Sequence, residues 1–206
     1  MTVQMQERST ELRIVNPDPK YPKAKLIEPT TLGYLYIAAA VRPGRIPLVL
    51  PSAARSRLLR RLKELAGEIE RLDQVVKASV FRAIVMPPTA RFSSYLKQRA
   101  ASLHLANFDV AVLIQTTSPA TAHEVQTTTA YGALVEAMRS KAKAVHIMAA
   151  RNARRIGDVN TTSEGLFLFN HFAADDADVM LQLWEYLAGW YAVETKLDNS
   201  VAMVSL

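Results

Sequence analysis

The strongest constraint on the fold is the alternation of short apolar segments with longer amphipathic ones in the second half of the chain. Residues 108–116 (FDVAVLIQT) are rich in Val, Ile and Leu, which is typical of a buried strand. Ser118 and Pro119 then supply a helix N-cap and a proline suited to the first helical position. The pattern predicts a helix from there to about Arg139 and a second strand over residues 144–150.

The remaining residues continue this alternation. After a polar connector, residues 165–172 (GLFLFNHF) predict a third strand, and residues 200–206 predict a fourth. Between them, Asp175 or Asp176 caps a helix whose apolar residues fall on one stripe: Met180, Leu183, Trp184, Leu187, Trp190 and Tyr191. We therefore expect both tryptophans to face the core. Residues 108–206 read as βαββαβ, the element order of the α+β, ferredoxin-like split βαβ fold.

The first half of the chain predicts a further βαβ unit, with strands over residues 33–41 and 75–86 and a helix over residues 52–72. Apolar residues of that helix recur at heptad-like spacing: Leu58, Leu62, Leu65, Ile69 and Leu72. Pro17, Pro19, Pro22 and Pro29 predict an extended arm before it, because proline lacks an amide donor and restricts the preceding residue. The predicted organisation is an arm over residues 1–33, a βαβ extension over 34–107 packed on the main domain, and a ferredoxin-like domain over 108–206.

Two of the predicted strands are apolar on both faces. Side chains alternate along a strand, so Val110 and Val112 point away from Ala111 and Leu113, and Leu166 and Leu168 point away from Phe167 and Phe169. Helices of a ferredoxin-like fold cover only one face of the sheet. The other face must therefore meet the N-terminal βαβ unit or a partner chain, and we expect a homodimer or a higher oligomer.

The segment GLFLFNHFAADDADVMLQLWEYLAGWYAVETKLDNSVAMVSL, with NARRIGDV before it, resembles members of an uncharacterised bacterial family. Its pattern is similar to the dimeric α/β-barrel superfamily, in which two ferredoxin-like sheets face each other across a small-molecule cavity. That superfamily includes small monooxygenases of quinone-forming antibiotic pathways, haem-degrading enzymes, chlorite-dismutase-like haem proteins and proteins with no demonstrated activity. The resemblance covers residues 108–206 and implies a fold without choosing an activity.

Several kinds of chemistry lack their sequence signatures. The chain has no cysteine, and its seven glycines show neither GxGxxG nor GxxxxGK[ST] spacing. Its four histidines show no HxxxH or HExxH spacing, so we expect neither a metal nor another cofactor. Apolar runs are shorter than the roughly 20 residues of a membrane helix, and we expect no secretory signal, because no basic segment leads into an apolar one at the start. The expected location is the cytoplasm, with no membrane partner.

The candidate site begins with Asn170 and His171 at the end of the predicted strand over residues 165–172. Strict alternation places His171 with Phe167 and Phe169, facing the cavity, and turns Asn170 toward the helix layer. On this prediction the two phenylalanines form the wall of an apolar pocket and His171 acts as a general base. The structural alternative is a histidine and an asparagine that satisfy backbone groups at the strand end.

His146 and Gln115 complete the candidate set. His146 lies in AVHIMAA on the same strand face as Met148, where it can be a general base or a hydrogen-bonded core histidine. Gln115 can orient a ligand carbonyl or hydroxyl. We therefore expect a protein that binds a small apolar or aromatic molecule. Its chemistry would resemble that of a cofactor-independent monooxygenase or isomerase, with His146 or His171 as base and Asn170 or Gln115 holding the oxyanion.

Two alternatives come from other classes. The chain can be a non-catalytic assembly or binding module whose arm and basic helix contact other subunits. It can also be associated with nucleic acid, because residues 41–107 carry thirteen Lys/Arg against four Asp/Glu, a net charge of +9. The absence of a recognition-helix motif disfavours nucleic acid. An enclosed pocket with a convergent histidine and amide favours ligand binding, and a filled sheet face favours assembly.

Overall fold

The computed structural model describes residues 20–41, 53–86, 107–163, 165–172, 174 and 176–206. Within them, strand β1 (Gly33–Ala40), helix α1 (Ala53–Ile69), strand β2 (Val75–Arg82) and strand β3 (Val110–Thr116) come first. Helix α2 (Pro119–Gln126), helix α3 (Thr129–Arg139), strand β4 (Ala144–Gly157), helix α4 (Ala177–Thr195) and strand β5 (Ser200–Ser205) follow. The predicted α+β class is confirmed.

The five strands form one sheet in the order β2-β3-β1-β4-β5. β1 pairs antiparallel with β3 on one side and with β4 on the other, and β2 pairs antiparallel with β3. β3 therefore lies between β1 and β2, and β1 lies between β3 and β4, so two split βαβ units interleave. The ferredoxin-like order βαββαβ thus spans β1 to β4, and strands from both predicted domains share one sheet. The predicted division into an N-terminal extension and a separate domain from residue 108 is corrected accordingly.

Residues 165–172 form no strand, so the third strand predicted for the second half is wrong. β4, which was predicted to end at residue 150, continues to Gly157 and so includes the first part of the predicted polar connector. The predicted helix over residues 119–139 is divided at Thr127 and Thr128. Thr127 is the C-cap of α2 and Thr128 is the N-cap of α3. The Thr128 hydroxyl donates to Val125 O and accepts from Tyr131 N. A side chain that bonds to backbone on both sides replaces the helical ladder there.

Local capping signals are confirmed at two helix starts. Ser118 is the N-cap of α2, where it accepts from Thr121 N while the Thr121 side chain accepts from Ser118 N, and Pro119 follows at the first position. Asp176 is the N-cap of α4, and its carboxylate accepts from Asp178 N and Val179 N at 2.8 and 3.1 Å. Asp175, the other predicted cap, lies outside the described residues.

The chain divides into two compact units. The sheet unit consists of the described part of residues 31–151 with residues 205–206. Its core joins one face of β1 and β3 to α1, α2 and α3, through fully buried residues that include Leu35, Ile37, Leu62, Ile114 and Leu134. The predicted apolar stripe of α1 is confirmed, since Leu58, Leu62, Leu65 and Ile69 are buried.

The C-terminal unit consists of the described part of residues 1–30 with residues 152–204. Its smaller core contains Leu181, Trp184 and Ala188 of α4 with Ala153 and Ala202. Trp184 is buried as predicted, but Trp190 is 37% exposed, so the prediction that both tryptophans face the core is wrong. Six residues turn a helix by 600°, which separates the two side chains by 120° around the axis.

The described part of the N-terminal arm packs along α4 and β4. Ala24 N donates to Glu185 O at 2.9 Å, and Ile27 N donates to Arg155 O at 3.0 Å in an isolated antiparallel bridge. Gly189 permits this close approach, because a Cβ at that position would lie 2.0 Å from Pro22 O. The arm over residues 20–30 therefore lies on the chain's own C-terminal unit, and residues 1–19 of the predicted arm lie outside the described residues.

Candidate functional site

The two faces of the sheet differ in chemistry. The helix-covered face carries aliphatic residues such as Leu35, Ile37, Val112 and Ile114. The opposite face carries polar and aromatic residues from four strands, and we call it the aromatic face: Tyr34, Tyr36, Ser79, Phe81, Leu113, Gln115, His146 and Met148. Strand alternation produces the division. The residues of this face have odd numbers in β2 and β3 and even numbers in β1 and β4.

Cross-strand pairing arranges the aromatic face in three rows. The first row contains Lys77, Gln115, Tyr34 and Ala150, and the second contains Ser79, Leu113, Tyr36 and Met148. The third contains Phe81, Ala111, Ala38 and His146. Two alanines therefore separate the rings of Phe81 and His146, and Tyr36 stands in the next row.

Burial on this face is greatest at its centre. Tyr34 is 5% exposed, Tyr36 4% and Ala38 0%, while Gln115 and His146 toward the sides are half-buried. The prediction that both faces of β3 are covered is confirmed, because all five residues from Val110 to Ile114 are buried. Polar groups in this setting need hydrogen-bond partners. The Ser79 hydroxyl is buried and has no such partner among the described residues.

His146 lies in a cluster of rings. Its imidazole centroid is 6.3 Å from that of Tyr36, with the rings edge to face, and 6.0 Å from that of Phe108. Burial raises the pKa of the Tyr36 phenol above its ordinary value of 10.0. Tyr36 is therefore a neutral hydrogen-bond donor beside a histidine at any physiological pH. Tyr34, Tyr36 and Ser79 were missed by the sequence analysis, and the alternation GYLYIA is the signal that marks both tyrosines.

His146 and Gln115 share the aromatic face, but they are not adjacent. Gln115 pairs with Tyr34 and His146 pairs with Ala38, four residues further along β1. At about 3.3 Å per residue, the two side chains start at least about 13 Å apart along the strand direction. They cannot act on the same ligand atom, whereas Tyr36 is close enough to His146 to do so.

The other predicted site residues lie in the C-terminal unit, on the segment that forms no strand. Asn170 and His171 are exposed, and Phe167 and Phe169 are half-buried. The prediction that strand alternation turns His171 into a cavity and Asn170 under helices is therefore wrong. Leu166 and Leu168, which were expected beneath helices, are 85% and 62% exposed. The ligand-binding roles of Asn170, Phe167 and Phe169 stay predictions.

A surface groove of about 590 Å³ lies in the C-terminal unit, lined by Leu26, Ile27, Glu28, Pro29, Arg154 and Glu185. Its two main charges neutralise each other, because Arg154 Nε lies 3.2 Å from Glu185 Oε1. Glu185 Oε2 also pairs with Lys23 at 3.1 Å. The groove thus touches none of the predicted site residues, and Glu28 is its one charged lining residue outside the Arg154–Glu185 pair.

Part of the basic charge in α1 and β2 is structural. Arg55 is buried, and its guanidinium lies 3.7 Å from the buried Asp109 carboxylate. Lys77 pairs with Glu70 at 2.7 Å. Arg57, Arg60 and Lys63 are exposed on α1. These three side chains are the basic residues of α1 that a nucleic acid would contact if the nucleic-acid alternative held. Arg42 and Arg45 lie outside the described residues.

Among the described residues, no three His, Asp or Glu side chains are grouped as metal ligands would be. None of the described helices combines the length and the apolar character that crossing a lipid bilayer requires.

Comparison with known proteins gives a likeness of fold. The chain is similar to a dimeric protein of unknown function with a ferredoxin-like fold from Bacteroides fragilis, with 9% sequence identity and a TM-score of 0.41. The likeness covers 60% of this chain and 99% of that chain. No protein-family model and no curated protein matches the chain. The fold described above follows from the chain's own strand order and register.

Proposed function

We propose that the chain binds a small, largely apolar molecule with at least one hydrogen-bonding group at the aromatic face of the sheet unit. One observation carries the proposal: the Ser79 hydroxyl is buried on this face and has no hydrogen-bond partner among the described residues. A buried hydroxyl without a hydrogen bond lowers the stability of the protein by an amount on the order of 1–3 kcal/mol, and a ligand that supplies the missing hydrogen bond removes this cost. The neighbouring row of rings suits an aromatic ligand.

The contrast between the two sheet faces supports the same proposal. A sheet face that only fills a core needs aliphatic residues, as the helix-covered face has at Leu35 and Ile37. The aromatic face instead buries Tyr34, Tyr36 and Ser79, so hydroxyl-bearing side chains take positions that a purely structural face fills with aliphatic ones. Ligand sites combine apolar walls with a few polar groups that orient the bound molecule.

In this proposal, His146 and Tyr36 are the groups that handle the proton and the negative charge of the bound molecule. A phenol or enol bound at this face would bring its acidic hydroxyl to the His146 imidazole and the neutral Tyr36 phenol, whose ring centroids are 6.3 Å apart. His146 would accept the proton, and Tyr36 would donate a hydrogen bond to the resulting oxyanion. This assigns the predicted catalytic base to His146. The exposed position of His171 removes the reason for its catalytic role.

Binding can be tested with 2-naphthol, a fluorescent phenol, by equilibrium titration of the purified full chain. We expect saturable binding that weakens about 3- to 10-fold in Ser79→Ala and in Tyr36→Phe, because each loses one hydrogen bond. Ser140→Ala, at the exposed C-cap of α3, and His123→Phe, at an exposed position on α2, are matched controls. Equal affinity in all variants, or no saturation, would overturn the proposal.

Stability measurements sharpen the same test. Ser79→Ala removes an unpaired buried hydroxyl, so the unliganded variant should unfold at a temperature equal to or above that of the wild type. If Ser79→Ala loses binding while its stability is unchanged or raised, the Ser79 hydroxyl forms its hydrogen bond with the ligand. A variant that is destabilised by more than about 1 kcal/mol shows instead that Ser79 has a structural partner.

The assembly module is a second candidate, favoured by exposed apolar residues in the C-terminal unit. Leu166, Leu168 and Phe172 are 85%, 62% and 43% exposed. A contiguous exposed apolar surface marks an interaction site. Light scattering at micromolar concentration tests this candidate, and a species of 22.8 kDa, the mass of one chain, would contradict self-association.

A further inference from the structure

Helix α4 has apolar residues on two opposite sides. The inner side packs Leu181, Trp184 and Ala188 into the core of the C-terminal unit. The outer side carries an apolar row that we call the outer seam: Val179, Leu183, Tyr186, Trp190 and Val193. Within the seam, Leu183 is 52% exposed, Trp190 37% and Val193 56%. A surface helix normally presents polar residues on the side away from its core, so the outer seam needs a partner.

The spacing of the outer seam indicates what kind of partner fits. Its residues follow one another at intervals of four, three, four and three, which is the heptad pattern of a helix that packs against another helix. No seam position is charged. The arm residues Pro22 and Ala24 contact α4 at Gly189 and Glu185, on a neighbouring side of the helix. Between them, Lys23 Nζ lies 5.2 Å from the ring centroid of Tyr186, at the edge of the seam.

We propose that the outer seam packs against the same seam of a second copy of the chain, with the two α4 helices antiparallel. A two-fold axis near residue 188 would pair Leu183 with Val193 of the second copy, and Tyr186 with Trp190 of the second copy. Both layers are then apolar. The inference is independent of ligand binding at the aromatic face, and it gives the assembly candidate a specific interface.

Charge favours the antiparallel arrangement. Asp178 lies in the first turn of α4 and Lys196 is the residue that ends the helix; both are exposed. Neither has an ion-pair partner among the described residues. The proposed register places Lys196 at the level of Met180 of the second copy, within one helical turn of its Asp178. A parallel pair would instead place Asp178 beside Asp178 and align the two helix dipoles.

Sedimentation equilibrium of the full chain tests the interface. We expect the wild type to be a dimer and Leu183→Lys/Trp190→Lys to dissociate with a Kd at least tenfold higher. Val85→Lys, at a 70% exposed apolar position outside both the seam and residues 165–172, is the matched control and should leave the Kd unchanged. Circular dichroism establishes that each variant is folded. A monomeric wild type would overturn both the seam and the assembly candidate, whereas a dimer that tolerates the double substitution would overturn the seam alone.

The orientation can be tested by cross-linking, because the chain has no cysteine of its own. In the antiparallel pair, residue 187 lies close to its own copy, whereas the two residues at position 183 lie about 15 Å apart along the axis. We therefore expect Leu187→Cys to form a disulfide-linked dimer under mild oxidation and Leu183→Cys to stay unlinked, since a disulfide needs Cα atoms within about 7 Å. The reverse result would show a parallel pair and overturn the proposed arrangement.

Discussion

Strand β3 and residues 165–172 have the same kind of sequence, but only β3 forms a strand. Both are short, rich in large apolar residues and apolar on both sides of an alternating pattern. In β3 every residue from Val110 to Ile114 is buried, between β1 on one side and β2 on the other. Residues 165–172 form no strand, and Leu166 is 85% exposed. Apolar alternation therefore makes a strand only where neighbouring strands supply both the hydrogen bonds and the covering layers.

The start of β3 gives the largest expected effect. Asp109 is fully buried; its carboxylate accepts from Val41 N at 2.7 Å and lies 3.7 Å from Arg55. Asp109→Ala should lower the free energy of unfolding by about 3–5 kcal/mol, because it leaves a buried guanidinium without its counter-charge. Urea denaturation measures the change. Asp158→Ala, which removes the exposed partner of Arg155, is the control and should cost about 1 kcal/mol or less.

The two tryptophans of α4 extend the comparison to a helix. Trp184 is 7% exposed in the core of the C-terminal unit, and Trp190 lies on the outer seam. Trp184→Ala should cost about 3–5 kcal/mol through lost burial and a cavity. Trp190→Ala should cost about 1 kcal/mol or less at protein concentrations where the chain is monomeric. Similar losses in thermal unfolding of both variants would show that Trp190 is buried in solution.

A matched pair of substitutions compares the two segments directly. Ile114 is fully buried, and Leu168 is 62% exposed. Ile114→Ala should lower the free energy of unfolding by about 2–5 kcal/mol, and Leu168→Ala should change it by no more than about 0.5 kcal/mol. Chemical denaturation of both variants at the same protein concentration gives the difference. Comparable losses would mean that residues 165–172 are packed in solution, contrary to the exposure of Leu168.

The smallest effect concerns the edge strand beside β3. Glu70 accepts from Ala78 N of β2 at 2.9 Å and pairs with Lys77 at 2.7 Å. Partial burial opposes ionisation of this carboxyl, but the amide donor and the ammonium together lower the pKa of Glu70 below its ordinary value of 4.5. This stabilisation is thus fully present above pH 4.5 and is lost as the pH falls through the lower folded-state pKa.

Glu70→Gln should therefore remove part of the acid dependence of stability. At pH 7 we expect a loss of about 0.5–1 kcal/mol, because the ion pair with Lys77 is lost. The variant and the wild type should converge as the pH falls through the lowered folded-state pKa of Glu70. Thermal unfolding between pH 3 and pH 7 measures both effects, and a constant difference across that range would contradict the role of the ionised carboxyl.

Local sequence signals determined most helices and strands. The caps at Ser118 and Asp176 and the apolar stripe of α1 were predictable, because they depend on residues within one or two turns. The α+β class was predictable from the alternation of elements. His146 was correctly placed on the same strand face as Met148, because strand alternation is a local property.

Which strands are neighbours was decided only by the tertiary structure. The sequence placed the ferredoxin-like order at residues 108–206, whereas β1, from the first half, lies between β3 and β4. A fully buried strand such as β1 and an exposed segment such as residues 165–172 have similar local patterns. What separates them is long-range pairing, whose free energy comes from residues distant in the sequence. The same long-range pairing brings Tyr36, Ser79 and His146 to one face, so the candidate site is a property of the assembled sheet.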